Sequence, residues 1–590
     1  MYSYGLIGNC QISALVHESG GIDWLCLPRP DSEPVFGHIL DPHGGQFSIN
    51  LAGGDAVSRS QYYLENTNIL ITEIRSARGG GLRITDFCPR FEQFGRMFRP
   101  LMLIRKVEPL GAGAMIKVSC NPIRGWSREP LKAIRGNSHL RFDLDDERLR
   151  LTTNMPLTYL EDSSPFPLKE NIYFALTWGI AIEEDLISTA EKFFIQTRDY
   201  WRGWVKHCSI PVLFQKEVIR SALVLKLHCY EDTGAILAAT TTSLPEEVGG
   251  TRNWDYRFCW LRDAYFTLTA FHNLGQFEEM EGFLKFLIDI AFESEASRDR
   301  LAPLYSLSRS LPLPENSHFN WEGYKNSKPI RTNNQAAEHI QNDVYGEMIL
   351  TLAPIYFDER FQHLRGEGYQ SLLGHLGRLA SRSIGQKDAG LWEVRNVIRE
   401  HSFTNLMLWA GLERLDRINR KGLLPDLGFD IGAECKRAET AVYGSVKEGV
   451  LRSTSDGTDL DSALSHLCLL RFPNQEVAQQ TLFQIQQKLA HEKNKSFFYR
   501  YRQEDDFGKP QSAFVACSFW IAQSLAQMGS VDQAKKIIED TLKSANSLGL
   551  FSEHFEPVNR EQLGNFPQAY SHVGLINSAF AVSPRWSEIL

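Results

Sequence analysis

The sequence predicts a chain in two parts, a sandwich of antiparallel sheets over residues 1–190 and a ring of twelve helices over residues 212–590. Three observations carry this prediction. Apolar and polar residues alternate along short segments of the first part, and apolar residues recur at helical spacing in the second. In addition, most of the even-numbered predicted helices follow a long polar segment. Residues 191–211 are predicted to form a helical linker between the two parts.

The first part alternates apolar and polar side chains over strand-length segments such as 11–16 and 149–152. Glycine-rich turn signals separate such segments, for example at residues 19–21 and 42–45. Several short strands at roughly ten-residue spacing are typical of two packed antiparallel sheets. A helical segment near 188–204 then marks the exit from the sandwich.

Twelve helices are predicted in the second part from the spacing of apolar residues. They lie near 213–230, 261–275, 277–293, 341–354, 362–384, 402–418, 430–451, 459–470, 474–491, 511–528, 531–548 and 568–582. The links into the odd-numbered helices are mostly short. The links into the even-numbered helices are mostly long and rich in aromatic, acidic and amide residues: 231–260, 294–340, 385–401, 492–510 and 549–567, with a shorter polar link at 452–458.

This alternation of short and long links predicts six helical hairpins closed in a ring, with the N-termini of the inner helices at one face. Such a face gathers positive helix-dipole ends and polar loops around a single pocket. The alternative is an open α-solenoid in which the same loops border a groove. The sequence shows no fixed-period repeat, which disfavours the solenoid.

Composition narrows the classes of partner. The net charge is −8 and basic residues are scattered, which argues against nucleic acid. No run of about 18 apolar residues predicts a membrane span. The first residues lack the pattern of a signal peptide, and the ten cysteines form no CxxC pair. A cytoplasmic location is therefore expected, and the sequence leaves the oligomeric state open.

Two carboxylates lie in polar and aromatic links of the helical part. Glu393 stands in the segment GLWEVR, beside Trp392, and Glu553 stands in GLFSEHFEP. An apolar neighbour favours a protonated carboxyl, which a general acid needs. Two such groups are what hydrolysis of a glycosidic bond requires, one to protonate the leaving oxygen and one to activate water or attack the sugar. The alternative for Glu393 is an incidental surface glutamate, and His554 is a rival base on general grounds.

Other residues of these links are candidates for binding a sugar. Arg262 and Asp263 begin an inner helix, where a guanidinium and a carboxylate could clamp vicinal hydroxyls. The alternative is a structural ion pair with an aspartate at a helix start. Aromatic side chains predict stacking walls for the sugar, and two further polar residues complete the set of binding candidates: Trp254, Trp321, Tyr324, Trp392, Asp343 and Arg395.

No cofactor is expected. The glycine run near 79–81 lacks the spacing of a phosphate loop, and the sequence contains no HExxH motif. The histidines lack metal-ligand spacing. The predicted partner is therefore a small oligosaccharide substrate rather than a nucleotide, a nucleic acid or a membrane.

Seven segments together resemble glycoside hydrolase family 15, the family of glucoamylases, glucodextranases and bacterial trehalases. They are NWDYRFCWLRDA, QNDVYGE, GLWEVR, SFFYRYR, AFVACSFW, LFSEHFEP and GNFPQAYSHVGLINSA. The start of the chain, from IGNCQISALVHESGG to DSEPVF, is similar to the N-terminal β domain of prokaryotic members. The resemblance covers nearly the whole chain in the expected order.

The resemblance implies an N-terminal super-β-sandwich, a linker and an (α/α)6 barrel. It implies an inverting mechanism that releases β-glucose from α-glucosides. By motif, Glu393 corresponds to the general acid and Glu553 to the general base. Arg262 and Asp263 correspond to the pair that holds the terminal glucose.

Two residues depart from the pattern of this family. His554 stands where many prokaryotic members have a second acid, and Asn405 stands where members often carry a lysine. The sequence-based expectation is an exo-acting, inverting α-glucosidase of the glucoamylase type, acting on maltooligosaccharides or related α-glucans. The alternatives are a trehalase on the same scaffold and a catalytically silent glycan-binding protein.

Overall fold

The fold was obtained as a computed structural model that describes residues 1–53, 56–77, 79–144, 147–295 and 300–590. Within these residues, the N-terminal part contains two large antiparallel sheets. The first has seven strands. Six of them follow one another in the order Tyr4–Gly8, Ser13–His17, Gly21–Cys26, Gln46–Leu51, Ala114–Asn121 and Phe166–Leu168, and Pro34–Phe36 pairs with Gly21–Cys26.

The second sheet has eight strands in the described residues. Their order is Ile134–Arg135, His139–Leu144, Glu147–Thr153, Ile172–Trp178, Met102–Leu110, Gly81–Phe87, Leu70–Ser76 and Ala56–Tyr63. Inward-facing apolar side chains of both sheets share one buried core, in which the Phe47 and Phe174 rings lie 5.7 Å apart. The predicted sandwich of antiparallel sheets is confirmed.

A long helix, Leu186–Lys206, leaves the sandwich. All twelve predicted helices follow it. The outer helices are Gln215–His228, Phe277–Glu295, Glu367–Ser383, Ile431–Gly444, Gln475–Lys488 and Val531–Thr541. The inner helices are Leu261–Leu274, Asp343–Phe357, Ser402–Arg420, the composite Ser462–Ser465 and His466–Leu469, Val515–Gln527 and Ala569–Val582.

The inner helices form a closed ring. Each packs against the next inner helix along the chain, and the last, Ala569–Val582, packs against the first, Leu261–Leu274. An open solenoid would leave these two end helices apart. The predicted closure of six hairpins is therefore confirmed, and the even-numbered helices are the inner ones.

Four helices differ most from their predicted bounds, and one of them, predicted over 531–548, ends at Thr541 before a 3-10 turn over Leu542–Ser544. The predicted helix 430–451 ends at Gly444, because Glu448 and Gly449 take positive φ values of 53° and 74° in a tight hairpin. The predicted helix 362–384 starts at Glu367, after a separate 3-10 segment. The eighth helix is short and begins as a 3-10 turn over Ser462–Ser465.

The sandwich packs against the links that precede the inner helices. Trp24 Nε1 donates to the Thr240 carbonyl oxygen at 2.8 Å, and Arg257 Nη1 donates to the Ser32 carbonyl oxygen at 2.6 Å. Tyr2 donates its backbone N–H to Gln562 Oε1 and its hydroxyl to the Gly564 carbonyl oxygen. The first strands of the chain therefore support the link that carries Glu553.

Two further features bear on the sequence predictions, the length of the apolar helices and the state of the cysteines. None of the helices in the described residues is long and apolar enough to cross a membrane. All ten cysteines are free, and eight of them are buried. Cys229, Cys468 and Cys517 are among the buried ones and lie in the apolar core of the helical part.

Candidate active site

The N-terminal ends of inner helices surround a cavity. Five of the ten predicted site residues line it together: Arg262, Asp263, Trp392, Glu393 and Glu553. A second cavity adjoins it and shares Trp392 and Glu393. We call these the inner and the outer cavity. Ring closure thus brings together links that lie up to about 290 residues apart in the sequence.

Glu393 lies at the boundary between the two cavities. Its Oε1 accepts hydrogen bonds from Trp260 Nε1 at 2.7 Å and from Arg262 Nη2 at 3.3 Å. Its backbone has φ of 60°, in the left-handed region, which costs a residue other than glycine about 1–2 kcal/mol. Such outliers concentrate at functional sites, where surrounding contacts hold them.

Arg262 is buried and binds several parts of the site at once. Its Nε donates to the Tyr570 hydroxyl at 2.9 Å, and its Nη1 donates to Gln341 Oε1 and to the Leu391 carbonyl oxygen. With the bond to Glu393, the guanidinium makes four hydrogen bonds to protein groups. Arg262 therefore fixes the link that carries Glu393, in addition to lining the inner cavity.

Asp263 has an unused acceptor at the inner cavity. Its side chain is almost fully buried, and its Oδ2 has no hydrogen-bond partner among the described residues. Burial raises the pKa of the Asp263 carboxyl to about 7, although the Arg262 guanidinium opposes this shift. The Asp263 Oδ2 atom lies 3.6 Å from Arg262 Nη2 but accepts no hydrogen bond from the described residues, so it is suited to accept one from a sugar hydroxyl.

Asp343 does not line either cavity, which corrects its prediction as a sugar contact. It is fully buried at the start of its helix, and neither carboxylate oxygen has a hydrogen-bond partner among the described residues. Burial raises its pKa to about 6. Arg262, whose Nη1 donates to Gln341 Oε1, lines the inner cavity, whereas Asp343 lies at the buried start of its helix.

Glu553 is buried, with 1% of its surface exposed. Its Oε1 accepts a hydrogen bond from the Tyr256 hydroxyl at 2.8 Å. Gly564, with φ of 73°, packs so closely that a Cβ there would lie 2.5 Å from Glu553 Oε2. Burial raises the pKa of Glu553 to about 8, and the charge of Glu246 adds to this, while the Tyr256 hydrogen bond and the Arg500 guanidinium oppose it.

His554 lies behind Glu553 and away from the cavity. Its Nδ1 is 3.0 Å from the Ser512 hydroxyl, and its Nε2 is 3.5 Å from Glu246 Oε2 and 3.9 Å from Glu553 Oε1. Burial lowers the pKa of His554 to about 3, so the imidazole is neutral at physiological pH. A neutral buried ring that lines neither cavity is not placed to take a proton from a water beside the sugar.

One group of potential metal ligands occurs among the described residues. The ligand atoms of Glu246, Glu553 and His554 lie within 4.8 Å of one another. The guanidinium of Arg500, 2.9 Å from Glu246 Oε2, already places a positive charge beside these carboxylates. We therefore assign no metal ion to this group.

Trp254 and Arg395 line the outer cavity. The guanidinium carbons of Arg331 and Arg395 lie 4.6 and 4.4 Å from the centre of the Trp254 ring, and Phe507 meets this ring edge-on. Trp392 packs among aromatic side chains and donates its Nε1 to Asp461 Oδ2 at 2.6 Å. The predicted aromatic wall thus consists of Trp392 and an arginine-covered Trp254.

Trp321 and Tyr324 do not reach either cavity, which corrects their prediction as sugar-stacking residues. Trp321 is fully buried, and its Nε1 donates to the Trp126 carbonyl oxygen at 2.9 Å. The Tyr324 ring packs against Tyr2 at 5.4 Å. Both contacts are to the sandwich, because this portion of the link 294–340 crosses to the N-terminal domain. Residues 296–299 of that link lie outside the described residues.

Several cavity residues were missed in the sequence. Tyr256 and Trp260 belong to the same aromatic run as Trp254, and Arg500 lies in the link 492–510. The sequence shows that these side chains are aromatic or charged. It does not show which side chains of a link face the cavity, because that depends on how the ring closes. Asn405, the second departure from the family pattern, bonds the Gly385 backbone N–H and the Glu400 carboxylate and lines neither cavity.

Comparison with known proteins agrees with this architecture. The model for glycosyl hydrolases family 15 matches residues 213–580, and the model for a trehalase-like N-terminal region matches residues 3–140. A Thermoplasma volcanium protein named trehalase is 31% identical over 615 residues, covering 100% of this chain and 93% of that protein.

Two further relatives extend the comparison. A Mycobacterium tuberculosis protein named trehalase is 29% identical and covers 98% of this chain and 89% of its own. A bacterial glucoamylase solved with acarbose superposes with a TM-score of 0.69 at 13% identity, covering 98% of this chain and 93% of that one. That structure shares the fold. The family model spans well over half of the chain, and the chain therefore belongs to glycosyl hydrolases family 15 and is a glycoside hydrolase.

Proposed function

We propose that the protein is an inverting trehalase that hydrolyses α,α-trehalose to two glucose molecules. The observation that supports this proposal is that ion pairs and a hydrogen bond join the links around the outer cavity. Arg252 pairs with Asp505, and Arg395 Nη2 pairs with Glu315 Oε2 at 2.8 Å. The backbone N–H of Arg395 donates to Asp506 Oδ2 at 2.6 Å. Four links are thus tied together around a space beside the inner cavity, which favours one further sugar unit over a long glucan chain.

The relatives support the same choice of substrate. Those at about 30% identity that align over nearly the full chain carry the name trehalase, and the N-terminal model is trehalase-like. Release of glucose from maltooligosaccharides, the activity expected from the sequence, would use the same inner cavity. The two activities differ only in what occupies the outer cavity, so substrate comparison separates them.

The proposed roles follow from the positions of the two glutamates. Glu393 lines both cavities, as a general acid acting on the oxygen between two sugars should. Glu553 lines only the inner cavity, where a water would attack the anomeric carbon. Glu393 gives its proton to the glycosidic oxygen as the C–O bond breaks, and Glu553 takes a proton from the water as the new C–O bond forms. Arg262 and Asp263 are proposed to hold the inner sugar.

We expect the highest kcat/KM for trehalose when glucose release is compared among trehalose, maltose, isomaltose and maltotriose. Proton NMR of the first turnovers should show β-glucose and α-glucose in equal amounts, because inversion affects only the attacked ring. Retention would give α-glucose alone. A higher kcat/KM for maltotriose would favour the glucoamylase type instead. Turnover of none of the four sugars would contradict both functions.

We expect kcat/KM to fall as the pH drops through the pKa of Glu553, because a base must be ionised to take a proton. Burial and the Glu246 charge raise this pKa to about 8. The acidic limb of the pH profile should therefore lie well above the ordinary glutamate pKa of about 4.3. The measurement is kcat/KM from acidic pH to well above the Glu553 pKa of about 8, with circular dichroism at each pH to exclude unfolding. An acidic limb at the ordinary value would contradict the assignment.

A further inference from the structure

We propose that Glu246 is a positioning residue that joins the candidate base, Glu553, to the wall of the outer cavity. This inference rests on the proposed function only for the role of Glu553. Glu246 is buried, with 4% of its surface exposed, in the link 231–260. Its side chain lies beside Arg500 in the link 492–510 and beside His554 in the link 549–567.

The Glu246 carboxylate accepts hydrogen bonds from two residues that line the outer cavity. Its Oε1 accepts a hydrogen bond from Trp254 Nε1 at 3.2 Å, and its Oε2 accepts one from Arg500 Nη2 at 2.9 Å. Both partners line the outer cavity, and Arg500 also lines the inner one. The backbone carbonyl of Glu246 accepts a hydrogen bond from the Ser512 hydroxyl at 3.2 Å. A displacement of Glu246 would therefore move the aromatic ring and the guanidinium that border the second sugar.

The other side of Glu246 faces Glu553 through His554. The His554 Nε2 atom lies 3.5 Å from Glu246 Oε2 and 3.9 Å from Glu553 Oε1. The Ser512 hydroxyl donates its proton to the Glu246 carbonyl oxygen, so its contact with His554 Nδ1 at 3.0 Å places the ring proton on Nδ1. The neutral His554 ring therefore lies between the Glu246 and Glu553 carboxylates and makes no hydrogen bond to either through Nε2.

The charged groups around this cluster fix which carboxylate is ionised. Burial disfavours the anion of Glu246, but the guanidinium groups of Arg500 and Arg252 favour it, and the Glu246 pKa is lowered. Arg252 is itself paired with Asp505. Glu553 faces Tyr256, Arg500 and His554 besides Glu246, and of these Glu246 is the only negative charge. The permanent charge on Glu246 therefore opposes ionisation of Glu553.

Replacement of Glu246 by glutamine tests the effect of its negative charge, because the size of the side chain is kept. Glutamine keeps an acceptor for Trp254 and fills the same space, but it removes the negative charge and frees Arg500 to act on Glu553. We expect the acidic limb of kcat/KM to move to lower pH by about one to three units, the usual effect of a nearby charge. The profile is measured with α-D-glucosyl fluoride, which needs no second sugar and is a substrate for glucoamylase-type and trehalase-type enzymes alike. The outcome is then independent of whether trehalose is the preferred substrate.

Two further variants guard this test. Glu492→Gln removes a negative charge from an exposed pair with Arg502 and should leave the limb in place. Glu246→Asp keeps the charge but shortens its reach. It should lower kcat/KM for trehalose by up to about 10²-fold, with a smaller loss for the fluoride, because displaced groups at the second sugar weaken positioning. A merely structural role of Glu246 would lower kcat/KM for both substrates by the same factor.

Three outcomes would overturn the proposal. One is a folded Glu246→Gln variant with an unmoved acidic limb, and another is a Glu246→Asp variant with equal losses on both substrates. A limb that moves by the same amount in Glu492→Gln would also overturn it. If Glu246→Gln does not fold, the aspartate variant alone decides. A wild-type enzyme that prefers maltotriose would contradict the proposed function but would leave the comparison of acidic limbs valid, and maltotriose would then replace trehalose in the test of Glu246→Asp.

Discussion

Replacement of Glu553 by glutamine is expected to lower kcat for trehalose by about 10²–10⁴-fold, the usual contribution of a positioned general base. This corresponds to about 3–5 kcal/mol of activation free energy. Glutamine preserves the size of the side chain and an acceptor for the Tyr256 hydroxyl, but it cannot take a proton from water. The fold should persist, because the replaced carboxyl is buried and an ionised carboxylate there is costly.

Chemical rescue sharpens this experiment. Azide needs no deprotonation, so it should restore turnover in Glu553→Gln and yield β-glucosyl azide, while Glu393 still protonates the leaving oxygen. Glu556→Gln is the matched control, since Glu556 lies in the same link but lines neither cavity. Thermal unfolding of both variants checks their integrity. A folded Glu553→Gln enzyme that keeps turnover within about tenfold of wild type would show that another group is the base.

The helical ring was predictable because its signals are local. Apolar spacing of 3.6 residues marks each helix, and link composition distinguishes inner from outer helices without any knowledge of packing. The eighth helix is the weakest case. Its residues Ser462–Ser465 form a 3-10 turn capped by the Asp461 side chain, which bonds the Ala463 N–H at 2.8 Å. Such a capping choice shifts a helix start by a few residues, which is the accuracy that spacing alone allows.

The destination of the long link 294–340 was not predictable. An indole in a polar link can stack on a sugar or pack against another domain, and composition is the same in both cases. The Trp321 N–H bonds a carbonyl 195 residues earlier in the sequence, at Trp126. Only the docking of the sandwich on the barrel decides that contact. Asp343 was misassigned for a related reason, since helical spacing gives no depth along the barrel axis.

The residues that surround the candidate base, Glu553, also could not be predicted from the sequence. Glu246 and Arg500 are 254 residues apart and meet only because their links enter the ring at one face. Each is an ordinary charged residue in a polar segment until that contact forms. The two glutamates named by the resemblance line one cavity, whereas Glu246 and Arg500 lie in links that gave no separate signal.

Replacement of Glu393 by glutamine is expected to affect two substrates very differently. For trehalose, kcat should fall by about 10²–10⁴-fold, because the sugar leaving group needs a proton that glutamine cannot supply. For α-D-glucosyl fluoride the loss should stay within about tenfold, since fluoride departs as an anion with little need for protonation. Glutamine still offers an acceptor to Trp260 Nε1, so the link that carries residue 393 should keep its position. Both rates are measured on the same preparation by release of glucose and fluoride.

The contrast between the two glutamates is what assigns their roles. Glu553→Gln should lose activity on both substrates, because water must be deprotonated whichever group leaves. Glu393→Gln should lose activity on trehalose only. Glu448→Gln is the control for Glu393, since Glu448 also has a left-handed backbone but is exposed and lines neither cavity. Equal losses on both substrates in Glu393→Gln would mean that Glu393 positions the sugar rather than protonating the leaving oxygen. The proton donor would then have to be sought among the other groups that line both cavities.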